Sequence, residues 1–423
     1  MLKASLPLRN LRGVVILLLM AIHSFTAYIV AQPAHQLSFD LAANDWEWRA
    51  FPINDVERWI GFDLFCAFLF PYVMQLMFFL SGFFVWQSLR RKGWQTFLGH
   101  RLLRLGVPFI LGTYLLIPVA FYPVYRITAV DPSWSAFWSH WTALPITPSG
   151  PMWFLWFLFA LNIGAAALYR LSPWTGRFPA ALLAKAVDHA HAGRIFLFVI
   201  CISAVAYLPL SGSYPPWQWV EFGPFEFPPA FAPQYVIYFL LGLTLGANDF
   251  ERGLFDLNGV LVRRWVIWVI GSLLSFLLWI IPTAMVMKGG GAPVAALQLA
   301  GNLGLVIFVG AACFGMAAVF LRFGTGRWPI IDSISEHAFG IYFFHYAVVL
   351  WLQYALLDVR FPAVGKGLIV FIVAAVLSWG VAAATDWILE SARLMLARGA
   401  MVLKRPRPEN EFRAPSMTSE TQA

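Results

Sequence analysis

Residues 11–25 read LRGVVILLLMAIHSF and belong to an apolar run that is long enough to cross a membrane. Such a run predicts a transmembrane helix, in which ionisable residues are costly and usually functional. Arg12 and His23 are eleven steps apart, and eleven steps turn an α-helix through about three full turns. Both side chains are therefore predicted on one helix face, about 16 Å apart along the axis.

The composition of the whole chain also indicates a membrane protein. Of 423 residues, 60% are hydrophobic and 12% are charged, and the mean hydropathy is +0.71. These values exclude a soluble globular protein. We predict an all-α, polytopic fold with about ten transmembrane helices, at 11–32, 60–87, 103–125, 151–169, 195–211, 232–248, 263–287, 293–321, 337–357 and 364–390. The second of these runs is long enough to tilt or to break at Pro71.

The positively charged residues predict the orientation of the chain. With a cytoplasmic N-terminus, the ten-helix topology places 23 of the 29 Lys and Arg residues on the cytoplasmic side, as the positive-inside rule requires. Both termini are therefore expected in the cytoplasm, with a transmembrane domain at 1–400 and a disordered basic and polar tail at 401–423. The net charge of +8 follows from the same bias and gives no reason to expect nucleic acid as a partner.

The chain has one basic segment and one intramembrane histidine that can belong to a site with Arg12 and His23. Arg101 and Arg104, in the loop 90–104, share a face if the segment is helical and can then bind one phosphate group. The alternative is a solvated cytoplasmic cluster. His23 is a candidate general base, and His345 is a second candidate in an apolar run. Either histidine can instead brace the helix bundle by hydrogen bonding.

Other residues have a structural alternative that is at least as strong. Ser81 and Gly82 allow close approach of a thin ligand or simply of another helix. Trp153 follows Pro151 at the start of an outer-face helix and is expected in the interfacial aromatic belt. The external aromatic residues can stack on sugar rings or belong to the same belt; they are Trp134, Trp138, Trp141, Tyr214, Trp217 and Trp219. The three cysteines lie at unrelated spacings, and no metal site is predicted.

Taken in order, these segments resemble the acyltransferase-3 family of membrane O-acyltransferases, over positions 9 to about 390. The family's first helix carries an Arg and a His in the spacing of Arg12 and His23. Its Phe-Phe-x-x-Ser-Gly-Phe stretch resembles residues 78–83 with one residue fewer before the Ser. Its Arg-x-x-Arg, Trp-Phe-Leu and Ile-Tyr-x-x-His motifs match residues 101–104, 153–155 and 341–345. Within the family, the motifs are most similar to those of the periplasmic glucan succinyltransferases.

The resemblance implies transfer of an acyl group from cytoplasmic acyl-CoA to a hydroxyl of an extracytoplasmic glucan, polysaccharide or glycolipid, in the inner membrane of a bacterium. Acetyl is the family default and succinyl the alternative. His23 would be the catalytic base, and Arg12, Arg101 and Arg104 would bind acyl-CoA. The candidate supporting residues are Ser81, Gly82, Trp153 and His345. Acyl-CoA is expected as a co-substrate with no bound cofactor. The alternative functions are a transporter or flippase for an acyl or lipid-linked substrate and a non-catalytic membrane scaffold for an envelope-modifying complex.

Overall fold

The computed structural model describes residues 5–39, 47–171, 192–215, 218–247, 254–289 and 294–403. Helices dominate this part of the chain, as predicted. The α-helices are α1 (Ser5–Phe25), α2 (Glu47–Ala50), α3 (Ile60–Phe83), α4 (Val85–Lys92), α5 (Trp94–Arg101), α6 (Val107–Leu111), α7 (Ile117–Thr128), α8 (Trp134–Ala143), α9 (Trp153–Arg170), α10 (Ala192–Ser213), α11 (Ala232–Ala247), α12 (Val260–Arg263), α13 (Trp265–Met287), α14 (Val294–Phe323), α15 (Pro329–Glu336), α16 (Ala338–Ala355) and α17 (Ala363–Leu403).

Shorter elements of other kinds connect the helices. Thr26–Tyr28 and Gly150–Met152 are 3₁₀ turns, and Leu102–Gly106 and Gly112–Leu116 are π-helical. The π segments join α5, α6 and α7 into one long helical stretch. Strands β1 (Val220–Phe222) and β2 (Phe225–Phe227) form an antiparallel hairpin, with Val220 paired to Phe227.

Nine helical stretches of the described chain are long and apolar enough to cross a membrane. They are Leu6–Tyr28, Ile60–Lys92, Trp94–Thr128, Gly150–Arg170, Ala192–Ser213, Trp265–Met287, Val294–Phe323, Ala338–Ala355 and Ala363–Ala392. The remaining predicted span is α11, which has only 16 residues. At 1.5 Å per residue it is about 24 Å long, less than a hydrocarbon core of about 30 Å. The polytopic all-α fold is thus confirmed.

The structure decides one open alternative and corrects one prediction. Helix α3 runs through Pro71 without a break, so of the two alternatives only a tilt remains, and the helix is interrupted at Phe84. A proline in a transmembrane helix is tolerated where neighbouring groups compensate for the lost hydrogen bond. The segment 90–104 is not a loop but part of α4, α5 and the first π segment. Its turn is confined to Gly93, whose φ of 76° favours glycine.

Helices α3 and α11 pack so closely that their backbones touch. A Cβ atom on Gly82 would lie 2.2 Å from the carbonyl oxygen of Phe239, and one on Gly242 would lie 2.1 Å from that of Phe79. Small residues at such contacts permit the close approach that drives helix association in membranes. Gly82 is therefore a packing residue in this fold.

By its contacts the chain divides into a unit of residues 1–382 and a unit of residues 383–423. The first unit contains every candidate site residue. In the second, the described backbone is the C-terminal part of α17, which continues to Leu403. The predicted disordered tail lies, from residue 404 onward, outside the described residues.

Candidate functional site

His23 lies in the last turn of α1, where α16 holds the end of the helix in place. The side-chain amide of Gln353 donates to the carbonyl oxygens of His23, at 2.9 Å, and of Ser24, at 3.2 Å. The Thr26 hydroxyl donates to the same His23 carbonyl. These bonds satisfy carbonyl groups that a helix end leaves free, so the position of His23 is fixed by its own main chain.

The structure brings the two candidate histidines together. The His23 ring lies 5.3 Å from the His345 ring, measured between centroids, and 5.2 Å from the Tyr346 ring in an edge-on contact. His23 is half-buried, whereas His345 is only 1% exposed. The sequence indicated each histidine separately but did not predict that they form a pair.

His345 is held by the main chain of its own helix. Its Nδ1 atom lies 2.6 Å from the Tyr342 carbonyl oxygen. The other ring nitrogen, Nε2, is buried and has no hydrogen-bond partner among the residues that the structure describes. The hydroxyl of Tyr342 in turn donates to the Pro151 carbonyl, which fixes this turn of α16 against the start of α9.

A charged cluster borders Tyr346; we call Arg49, Ser149, Glu221 and Glu226 the outer cluster. Arg49 pairs with Glu226 at 2.8 Å and also with Glu221. The Ser149 hydroxyl donates to Glu226 at 2.6 Å. Burial raises the pKa of the Glu226 carboxyl, against the opposing charge of Arg49. The charges of Glu226 and Arg49 also act on the Tyr346 hydroxyl. Tyr346 therefore links His23 to polar groups on loops that are predicted to be extracytoplasmic.

At the other end of α1, Arg12 is held by α15. Its Nη2 donates to the Ser335 carbonyl at 2.6 Å, and its Nε donates to the Ser335 hydroxyl at 3.3 Å. The Ser335 hydroxyl donates to the Arg9 carbonyl and so ties α15 back to α1. The Nη1 group of Arg12 makes no hydrogen bond within the described part of the chain.

Arg101 and Arg104 join Arg12 in a cluster of positive charge. Arg104 is close enough for its charge to act on both Arg12 and Arg101. Arg101 lies over the Phe97 ring at 5.0 Å, and its Nε is buried without a hydrogen-bond partner among the described residues. None of these three arginines forms an ion pair with a described carboxylate. The arrangement suits a ligand with several negative charges.

Arg104 occupies the first of the two π segments, Leu102–Gly106. Such segments are rare and frequently occur at functional sites. Arg101 and Arg104 are three positions apart, and the prediction that their side chains share a face assumed a regular α-helix. The structure keeps the two charges close although the helix changes type between them.

In the part of the chain that the structure describes, Ser81, Gly82 and Trp153 form no hydrogen bond or ring contact with His23 or His345. Trp153 is 8% exposed and packs in an aromatic cluster, with its ring 5.4 Å from those of Trp219 and Tyr235. The Trp153 ring is thus packed inside the protein, and its place in the interfacial aromatic belt stays a prediction. Ser81 is half-buried beside Gly82.

The external aromatic residues divide between core and surface. Trp141 is buried against Phe137, whereas Trp134 and Trp138 are exposed and stacked on each other, 6.2 Å apart. Trp217 lies outside the described residues. Within the described chain, no group of three or more His, Cys, Asp or Glu residues is arranged to hold a metal ion.

Sequence reasoning missed three residues that shape the site: Ser335, Gln353 and Tyr346. The first two contact α1 across more than 300 residues of sequence. No local sequence pattern predicts contacts between residues so far apart. Tyr346 had a weak signal, because it directly follows His345 on an apolar helix.

No curated protein and no solved structure matched the chain. A family model described as an acyltransferase domain matches residues 8–385, which includes all the candidate site residues. The chain is therefore a multi-pass membrane protein that belongs to the acyltransferase-3 family.

Proposed function

We propose that this acyltransferase takes an acyl group from acyl-CoA on the cytoplasmic side and transfers it to a carbohydrate hydroxyl on the outer side. The observation that carries the proposal is the arrangement of α1. Arg12 lies in a cluster of unpaired guanidinium groups at one end, and His23 lies beside His345 about 16 Å further along the same face.

The positive cluster supports acyl-CoA as the donor. Coenzyme A carries its phosphates at one end and its thioester at the end of a thin arm. Arg12, Arg101 and Arg104 have no carboxylate partner in the described chain, and the Nε of Arg101 is buried there without a hydrogen-bond partner. Bound phosphates would supply the missing counter-charge through charge-assisted hydrogen bonds, with the thioester arm directed toward His23.

His23 is proposed as the general base. Its neutral ring removes the proton of the acceptor hydroxyl while the oxygen attacks the thioester carbonyl. A new C–O bond forms, the C–S bond breaks, and the leaving thiolate of CoA takes up the proton from the His23 imidazolium. The partial exposure of His23, in contrast to the burial of His345, favours His23 as the residue that reaches substrate.

The acyl group, the acceptor and the membrane are also proposals. Acetyl is proposed as the transferred group and succinyl as the alternative. The acceptor is proposed to be a glucan, polysaccharide or glycolipid at the outer face of a bacterial inner membrane. Tyr346 supports access from that side, because its ring contacts His23 and the charges of Glu226 and Arg49 act on its hydroxyl.

The test uses the purified protein in lipid vesicles, with radiolabelled acetyl-CoA or succinyl-CoA and envelope glycan from a strain that lacks the gene. We expect the His23→Gln variant to lose roughly 10²- to 10⁴-fold in transfer rate, the usual contribution of a general base. The His100→Gln variant is the matched control, because His100 is exposed on α5. It should retain full activity.

Two outcomes would contradict the proposal. Undiminished transfer by a well-folded His23→Gln protein would remove His23 from the mechanism. Failure of the wild-type protein to release CoA from either donor would remove acyl-CoA as the donor.

A further inference from the structure

We propose that His345 is a positioning residue whose Nε2 accepts a hydrogen bond from the His23 ring and thereby fixes which His23 nitrogen acts as the base. The inference rests on the proposed function for its catalytic consequence. The hydrogen bond itself can be tested without any acyl donor.

The contacts of His345 determine its tautomer. A carbonyl oxygen only accepts hydrogen bonds, so the 2.6 Å contact with Tyr342 requires that Nδ1 carries the hydrogen. A neutral imidazole has one N–H, and Nε2 must then present a lone pair. This lone pair is buried and has no partner among the described residues, although a buried polar atom is normally hydrogen-bonded.

The nearest ring in contact with His345, ahead of those of Tyr342 and Tyr346, is the His23 ring. The two rings are tilted by 44° with centroids 5.3 Å apart, and the His23 ring makes no hydrogen bond to any other described residue. Hydrogen bonds between catalytic groups are often long before substrate binds and become shorter in the complex. The proposed bond therefore requires the His23 ring to turn one of its N–H groups toward Nε2, as part of the inference.

The consequence for His23 is a single tautomer. One ring nitrogen donates to His345, and the other presents its lone pair to the acceptor hydroxyl. In Ser-His-Asp sites a carboxylate orients the histidine in this way. A neutral acceptor suits a buried site better, since an isolated ionised carboxylate is expensive to bury.

The same arrangement provides a path for the hydroxyl proton from the acceptor, through His23, to the sulfur of CoA. When His23 accepts the proton of the hydroxyl, both of its nitrogens carry hydrogen. One N–H stays directed at His345, and the other faces the departing sulfur, which receives the proton. His345 keeps its own proton on Nδ1 throughout, and it contacts neither substrate.

Two substitutions of His345 separate positioning from simple packing. In the His345→Gln variant, the longer side chain places an amide oxygen near the position of Nε2, where it can accept from His23. In the His345→Asn variant, the shorter amide can replace Nδ1–H toward the Tyr342 carbonyl but cannot reach His23.

We expect His345→Gln to retain most of the wild-type kcat. His345→Asn should lose roughly tenfold to a hundredfold in kcat, the range for groups that orient a reacting ligand. The KM for acetyl-CoA should be unchanged in both variants, because His345 does not contact the donor. If His345 only packs the bundle, the order is reversed: Asn preserves the main-chain bond and activity, and Gln does not.

The second measurement is solid-state NMR of ¹⁵N-histidine-labelled protein in lipid bilayers, with the His23 signals assigned by their loss in His23→Gln. We expect one His23 tautomer in the wild type and in His345→Gln, and a mixture in His345→Asn. A mixture in the wild type would overturn the inference. If the wild type does not use acyl-CoA at all, the proposed function fails, and this spectrum still decides the role of His345.

Discussion

The Arg12 side chain combines a structural role with a proposed role in ligand binding. Two of its nitrogens are used by Ser335, which anchors the side chain to α15. The charge of Arg104 lies near that of Arg12, and like charges so close together repel each other. A fold keeps such a cluster where an anion compensates for it, and the phosphates of acyl-CoA are the proposed anion.

Removing one charge of this cluster should weaken donor binding specifically. For Arg101→Gln we expect the KM for acetyl-CoA to rise roughly tenfold to a hundredfold, because a charged hydrogen bond contributes about 1.5–3 kcal/mol. The kcat should change little. Initial rates at varied acetyl-CoA concentration, in vesicles, provide the measurement.

The control for this variant is Arg91→Gln, since Arg91 is exposed on α4 and belongs to the same basic segment. Its KM should equal that of the wild type. An equal rise in both variants would show that general surface charge, rather than a phosphate site at Arg101, attracts the donor.

At the scale of elements, close glycine contacts position α11 beside α3. The carbonyl oxygens of Phe79 and Phe239 occupy the space that side chains would need at Gly242 and Gly82. The short α11 follows the β hairpin that carries Glu226, so this helix pair also helps to position the outer cluster.

Substitution at this contact should affect stability and leave the site chemistry alone. We expect Gly82→Ala to lower the free energy of unfolding by roughly 1–3 kcal/mol, the usual cost of overpacking. The KM for acetyl-CoA should stay at the wild-type value. Thermal unfolding in detergent, followed by kinetics on the folded fraction, tests both statements.

Gly164→Ala is the matched variant, because a Cβ atom there meets no atom within 4 Å. It should be neutral or slightly stabilising, since alanine is the better helix former. A large rise in KM without loss of stability in Gly82→Ala would instead assign Gly82 to the donor site.

At the scale of the whole molecule, buried charges tie distant segments together. Lys366 at the start of α17 pairs with Asp55 at 2.7 Å, and both side chains are 1% exposed. Breaking such a pair leaves an uncompensated buried charge. The pair therefore fixes the segment between α3 and α2, and α2 carries Arg49 of the outer cluster.

The orientation of the chain is the remaining prediction at this scale. The topology places Arg322 in the cytoplasm and Arg360 outside, and both side chains are exposed. In right-side-out spheroplasts, a membrane-impermeant maleimide should label Arg360→Cys and leave Arg322→Cys unlabelled until the membrane is disrupted. The unsubstituted protein measures the background from Cys66, Cys201 and Cys313. The opposite pattern would reverse the orientation of the termini.

The sequence by itself determined the properties that depend on short distances along the chain. The apolar runs are long enough to cross a membrane, so they predicted the polytopic helical fold. The helical repeat placed Arg12 and His23 on one face of α1. Even here, the sequence placed segment 90–104 in a loop, although it is almost entirely helical, and it did not predict the interruption of α3 at Phe84, because helix ends depend on neighbouring helices.

Only the tertiary structure decided which side chains meet. The pairing of His23 with His345, the anchoring of Arg12 by Ser335 and the burial of Trp153 join residues that are far apart in sequence. In a membrane, helix composition is nearly uniform, and specific contacts arise from detailed packing and from the few polar groups that need partners. For this reason the sequence predicted His23 and His345 as separate candidates, and only the tertiary structure shows that their rings are in contact.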